Sequence, residues 1–331
     1  MHCGCGLRPA RDVGRAANSL FQPRCPWVTQ PRFQLRFLSL RYWPQWAMIL
    51  LMGICTLLPR NISLWLGDRL GNSFRTRNHK RRKIAETNLR LCFPGLSEQQ
   101  REVLLNRHFR LYGRAVIDLG LVWWGRRVRL DRLCRISGQD NLHDLVASQK
   151  PILLITPHTV GIDVAGVGLA KLAPGVSMMK RATDPLLTWL LWTGRTRFGA
   201  TILMRDQGLR PMVKAMRRGR VGYLMPDEDL GNDSSLFVPF FGISTATLPV
   251  VSWLARLTAA AVLPVFIELG ESGHYKVDIR PALDDFPSGD PHSDAARINA
   301  VFEAGIREAP EQTLWSLKWF KTRPAGESSP Y

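Results

Sequence analysis

The sequence predicts an α/β protein. A central, mostly parallel mixed sheet is covered by helices and preceded by an N-terminal membrane-associated helix. Three observations carry this expectation. From about residue 136, short apolar runs alternate with stretches of helical periodicity, the pattern of strand–helix–strand units. Residues 96–124, LSEQQREVLLNRHFRLYGRAVIDLGLVWW, keep the apolar spacing of one long helix behind a serine cap. Residues 47–58 form an apolar stretch flanked by Trp43, Trp46 and Trp65.

Residues 1–38 are rich in Arg, Pro and Gly, lack apolar periodicity and read as a disordered basic tail. Residues 39–66 follow as a membrane anchor or interfacial helix. The apolar stretch within them is shorter than the roughly 20 residues that cross a bilayer squarely. A short, tilted or surface-lying helix is therefore expected, with a buried core helix as the alternative. Indole rings favour the headgroup level, and the six basic side chains of RTRNHKRRK (75–83) would meet anionic headgroups. Residues 67–331 are assigned to a catalytic domain. A second basic cluster lies at Arg126, Arg127, Arg129, Arg132 and Arg135. At the carboxyl end, Trp315, Trp319 and Phe320 alternate with Lys318, Lys321 and Arg323, which reads as another aromatic and basic interface patch.

Within the alternating half, GQDNLHDLVAS is helical, PILLIT a buried strand and VAGVGLAKLA a helix. GVSMMK (strand), DPLLTWLLWTGR (helix), ATILM (strand) and LRPMVKAMRRG (helix) continue the alternation, and VGYLMP and AAVLPVFIE add two strands. Lys and Arg number 45 against 27 Asp and Glu, a formal charge of +18, so an anionic partner is expected. No nucleic-acid-binding motif is present, and the basic residues are not interleaved with aromatics in a stacking pattern. The six cysteines (Cys3, Cys5, Cys25, Cys55, Cys92, Cys134) contain no C-x-x-C pair and read as free thiols of a reducing compartment. No metal or cofactor is expected.

The chemistry is expected where PILLIT stops. His158 follows Pro157 directly, and Asp163 comes five positions later. In an ideal helix five residues turn through about 140°, so the two side chains meet only if the chain turns between them. Pro157 and Gly161 stand where such a turn falls. His158 would then lie at the carboxyl edge of the sheet, where sites of open α/β folds collect. Two readings stay open. Asp163 caps the next helix and His158 fills a loop, or Asp163 orients the imidazole as the third member of a catalytic triad does. No G-x-S-x-G occurs, so a functional His158 would act as general base on a substrate's own hydroxyl.

H-x4-D after a strand resembles the signature of the glycerolipid acyltransferase superfamily. DPLLTWLLWTGRTRFGATILMR (184–205) and GLRPMVKAMRRGRVGYLMPDEDLGNDSSLFVPFFG (208–242) are similar, in order and spacing, to blocks of its bacterial lipid A branch, the Kdo-lipid IVA lauroyl/myristoyl transferases. VLPVF and APEQTLWSLKWFKTRP extend the resemblance, which covers about residues 40–324. MMKRATDP departs from the branch's usual Y-R-P. The resemblance implies the acyltransferase fold of the superfamily and transfer of a fatty acyl group from an acyl carrier protein thioester to a hydroxyl of a lipid A precursor. It implies His158 as general base, Asp163 as its orienter and Arg205 as a phosphate ligand, a role that suits a bidentate guanidinium. Arg195, Arg197 and Lys180 are further candidates for anionic acceptor groups. Asp227 and Asp229 of PDED are expected to position the catalytic loop or offer carboxylates to substrate. The expected location is the cytoplasmic face of a bacterial inner membrane, on its anionic surface. Two alternatives remain: the same chemistry on another glycolipid or glycerophospholipid, and a non-enzymatic basic binding protein.

Overall fold

The computed structural model describes residues 30–331 apart from 232 and 234. Residues 1–29 of the expected tail, with Cys3, Cys5 and Cys25, lie outside the described residues. Phe37 falls inside the stretch expected to be tail, yet it is buried against Leu186 and Leu190.

The expected 39–66 segment is two helices rather than one. Helix α1 spans Trp43–Cys55 and α2 spans Arg60–Arg77. Pro59 separates them because proline lacks an N–H to continue the ladder. Among the described residues no helix is long and apolar enough to cross a membrane, so the fold gives no support to the expected membrane anchor at 39–66. Helix α1 buries Ile49, Met52 and Cys55. Its other face leaves Met48, Leu50, Leu51 and Ile54 exposed, and Leu57 just beyond it is 81% exposed. Helix α2 is a protein-packing element. The two oxygens of the buried Asp118 carboxylate accept from Arg60 at 2.5 and 2.8 Å, and the Tyr275 hydroxyl donates to the same carboxylate at 2.6 Å. A Cβ at Gly67 or Gly71 would collide with the backbone of Arg114 or Phe109, so glycine permits the close helix contact.

Helix α3 covers His79–Cys92, capped by the Asn78 side chain. Helix α4 covers Glu98–Trp124 and begins with a reciprocal capping box between Ser97 and Gln100, the sequence-level start signal. Short helix α5 (Arg127–Leu133) leads into the alternating half: β1 (Cys134–Ser137), α6 (Gln139–Ala147), β2 (Ile152–Ile155), α7 (Ile162–Leu169), β3 (Gly175–Met179), α8 (Pro185–Thr196), β4 (Thr201–Met204), α9 (Arg210–Met216) and β5 (Val221–Leu224). A hairpin follows, β6 (Leu236–Phe240) and β7 (Ile243–Thr247). Its two turn residues, Phe241 and Gly242, both have positive φ, as a type I′ turn requires. Helix α10 (Val250–Thr258), β8 (Ala261–Leu269), β9 (Tyr275–Ile279) and α11 (Pro291–Glu308) complete the chain's main elements.

The sheet order is β1-β9-β8-β2-β5-β3-β4. Every neighbouring pair is parallel except β8–β9, so the expected mostly parallel sheet is present. All four residues of β2 are buried, which explains its unbroken Ile-Leu-Leu-Ile run. The pairing that matters most joins β2 to β5, with Ile155 opposite Leu224. The chain leaves both strands at the same edge.

The expected aromatic interface patch at the carboxyl end is corrected by burial. Trp315, Trp319 and Phe320 are each at most 2% exposed. Trp319 meets Trp315 at a tilt and Phe240 edge to face, and Phe320 lies tilted against Phe240, all inside the protein. The carboxamide of the buried Asn88 donates to the carbonyls of Trp315 and Leu317, each at 2.7 Å. An alternation of aromatic and basic residues looks the same in sequence whether the rings face lipid or core.

Candidate active site

The β2–β5 register builds the site. His158 stands three residues past Ile155, and Asp227 stands three residues past Leu224. The backbone N–H of Thr156 still donates to Leu224 at 3.1 Å, so the two exits stay side by side. His158 then meets Asp227 twice. Its backbone N–H donates to Oδ2 at 2.8 Å, and its Nδ1 lies 2.6 Å from Oδ1. A carboxylate can only accept, so the proton sits on Nδ1 and Nε2 presents its lone pair outward. The C-terminal segment fixes the same loop from behind. Leu314 N–H donates to the His158 carbonyl at 2.9 Å, and Val160 N–H donates to the Gln312 carbonyl at 2.8 Å.

Burial disfavours the His158 imidazolium, and Arg195 opposes it too. The Asp227 charge and hydrogen bond, with Glu228 behind them, outweigh both and hold the pKa above the ordinary 6.5.

Neither sequence reading of Asp163 describes its place. No hydrogen bond joins it to His158. It is not the cap of α7 either: Gly161 holds that position without a side-chain bond. Asp163 sits in the first turn and accepts from Arg195 Nε at 2.6 Å. The chain does turn between His158 and Asp163, but the turn aims the carboxylate at α8. Burial works against the Arg195 charge, and Asp163 overcomes it, leaving the guanidinium's pKa raised.

This ion pair stands at one end of an apolar cavity of about 790 Å³, its mouth included. Asp163, Arg195, Tyr223 and Met225 line the end near the carboxyl edge of the sheet. Leu142, Leu169, Ala170, Ala173, Gly175 and its register partner Val221 line the opposite end, and Leu154, Val176 and Ile202 lie between. Burial holds the Tyr223 phenol far above its ordinary range, so it remains protonated.

The remaining sequence candidates divide. Lys180 and Arg205 follow the paired residues Met179 and Met204 of β3 and β4, which brings them to the same sheet edge. Lys180 is exposed and makes no hydrogen bond or ion pair among the described residues. Arg205 Nη1 lies 2.5 Å from the Glu228 carboxylate and stays about one-third exposed. Arg197 instead packs over the Phe198 ring at 4.9 Å and donates weakly to the Val122 carbonyl. Asp229 turns away from the site. Its buried carboxylate accepts from Thr322 N–H at 2.6 Å and Oγ1 at 2.7 Å, and from Gly231 N–H. It ties down the C-terminal segment. Among the described residues no group of His, Cys, Asp and Glu could hold a metal, and Cys55, Cys92 and Cys134 are free.

The pairing of Asp227 with His158 was not read from the sequence, although a signal was there. ITPH (155–158) and LMPD (224–227) repeat one pattern: a strand end, one residue, proline, then an ionisable side chain. Two such exits from adjacent parallel strands bring the ionisable groups together. Strand adjacency is the missing step, and only the fold supplies it.

The family described as bacterial lipid A biosynthesis acyltransferase matches residues 30–322. The chain is 33% identical over 300 residues to a lipid A biosynthesis acyltransferase of Haemophilus influenzae, covering 90% of this chain and 94% of that protein. It is 32% identical to the lipid A biosynthesis lauroyltransferase of Escherichia coli over 91% of this chain and 99% of that one. It is 29% identical to the lipid A biosynthesis myristoyltransferase of the same organism, over 91% and 94%.

Proposed function

The chain belongs to the bacterial lipid A biosynthesis acyltransferase family, and we propose that it moves a fatty acyl group from an acyl carrier protein thioester to a hydroxyl of a lipid A precursor. The observation that carries this reading is the His158–Asp227 pair at the carboxyl edge of the sheet, the edge toward which Asp163, Arg195, Tyr223 and Met225 line the apolar cavity. Nε2 of His158 takes the proton of the acceptor hydroxyl. The oxygen attacks the thioester carbonyl and forms the ester bond. The carbon–sulfur bond breaks, and the leaving thiolate takes the proton back from the imidazolium. Asp227 keeps the reactive tautomer and stabilises the transient positive charge. The acyl chain lies in the cavity, and the 45 basic side chains favour an acidic carrier protein and a phosphorylated acceptor. The acceptor is tested by competition. A phosphorylated lipid A precursor should suppress acylation of a glycerophospholipid offered at equal concentration. Preferential acylation of the glycerophospholipid would favour the alternative acceptor class.

Arg205, beside Lys180 at the site edge, is assigned to the acceptor phosphate, which would replace Glu228 as its partner. Arg205→Lys keeps the charge and loses the two-pronged geometry. It should raise KM for the phosphorylated acceptor while leaving KM for the thioester unchanged. An unchanged acceptor KM would remove Arg205 from that role.

The reading also places the enzyme on the cytoplasmic face of a bacterial inner membrane, lying on its anionic surface. Support comes from the exposed apolar face of α1, the exposed Trp43 and Trp65, and Arg69 stacked 5.1 Å over the Trp65 ring. Each basic side chain near an anionic surface adds about 1 kcal/mol, which salt weakens. The protein should therefore sediment with phosphatidylglycerol vesicles at low salt and less so at high salt. A Leu50→Ser, Leu51→Ser variant should remain largely in the supernatant. Wild-type protein left in the supernatant at low salt would contradict surface docking.

A further inference from the structure

Helix α7 carries two interior glycines, Gly166 and Gly168, behind the Gly161 cap. Two of the three have a steric reason. A Cβ at Gly161 would stand 2.9 Å from the Tyr275 ring, and one at Gly168 would stand 3.2 Å from the Cys134 side chain. Gly166 has none: a Cβ there would meet nothing within 4 Å. Glycine in a helix interior is less stable than alanine, so a glycine facing open space needs another explanation. The open space is the apolar cavity, which Gly166 lines together with Asp163, Val167 and Ala170 on the same helix face.

We propose that Gly166 sets the longest fatty acyl chain the enzyme accepts. This rests on the acyl-transfer reading above and names the residue that fixes its donor specificity. Along α7 the cavity runs from Asp163, which pairs with Arg195 at one end, to Ala170, about 10 Å further down the helix axis. Gly166 lies between them, about 4.5 Å from Asp163 along that axis. A side chain at 166 enters the middle of the cavity and leaves the end at Asp163 and Arg195 unobstructed. Short chains still fit; long ones lose the far end lined by Leu142, Leu169 and Ala173.

The test uses the full chain with Gly166→Ala and Gly166→Leu. Two readouts are taken on each protein. One is the rate of transfer to a lipid A precursor from carrier protein loaded with octanoyl, decanoyl, lauroyl, myristoyl or palmitoyl groups. The other is the rise in melting temperature caused by the matching free fatty acids. Each methylene refused by a pocket is worth about tenfold or more in discrimination. Gly166→Leu should therefore lower the rate for the wild type's preferred chain by at least about tenfold relative to the shortest chain used. Gly166→Ala should shift the profile the same way by a smaller amount, on protein whose melting temperature is no lower than wild type. The free fatty acids should show the same shift toward short chains. Profiles of Gly166→Ala and Gly166→Leu that both match wild type would overturn the proposal. So would a wild type stabilised equally by every chain length or by none. A chain-length shift in fatty-acid binding without acyl transfer by wild type would sustain the role of Gly166 and count against the reaction.

Discussion

His158→Ala is expected to lower the rate of acyl transfer by about 10²–10⁴-fold, the usual contribution of a general base. The fold should survive. The imidazole is only partly buried, and the His158 backbone N–H still donates to Asp227 without it. The thioester and the acceptor should bind nearly as before, so the loss should fall on kcat. Circular dichroism and thermal melting would establish that the variant is folded, and steady-state transfer would measure the loss. A folded variant with near-normal kcat would remove His158 from the mechanism.

Asp227→Asn carries the second large effect, and it has a signature in pH. An asparagine amide oriented to donate forces Nδ1 to accept, which moves the ring proton to Nε2, the wrong tautomer for a base. The rate should fall by about 10²-fold or more. In wild type, Asp227 and Glu228 hold the His158 pKa above 6.5 against burial. Activity needs the neutral ring, so the acid limb of kcat/KM should lie above 6.5 and rise through the folded-state pKa. Removing the Asp227 charge leaves burial to dominate, and the limb should move to lower pH. Stability runs the other way. A raised pKa stabilises the fold fully below the unfolded-state value, and that contribution is lost as pH rises through the folded one. Asp163→Asn provides the contrast. Asp163 touches Arg195 and not the imidazole, so its removal should disturb the cavity end and leave the acid limb in place. An acid limb that follows Asp163 rather than Asp227 would reverse the assignment.

The alternation of apolar runs and helical stretches was enough to read the parallel half of the sheet, because buried parallel strands are continuous apolar segments and their crossover helices are periodic. The Ser97 capping box made the start of α4 legible in the same way. His158 could be found because it interrupts an apolar strand at its exposed edge. Its partner could not, because Asp163 and Asp227 are equivalent in sequence until the β2–β5 pairing is known. The burial of Trp315 and Trp319, and the role of Asp229 in holding Thr322, depend on where the C-terminal segment packs. That packing is a long-range contact with no local pattern. The apolar stretch 47–58 suggests one helix over 39–66, whereas Pro59 divides the segment into α1 and α2.

The most direct test of the central claim is mass spectrometry of the acceptor. A lipid A precursor with a free hydroxyl would be incubated with the purified chain and with acyl carrier protein carrying one fatty acyl group. The product should be heavier by that acyl group less the hydroxyl proton it replaces, with ester linkage. It should be absent when His158→Ala replaces wild type. An acceptor of unchanged mass with active, folded wild type, or equal product from His158→Ala, would contradict the claim.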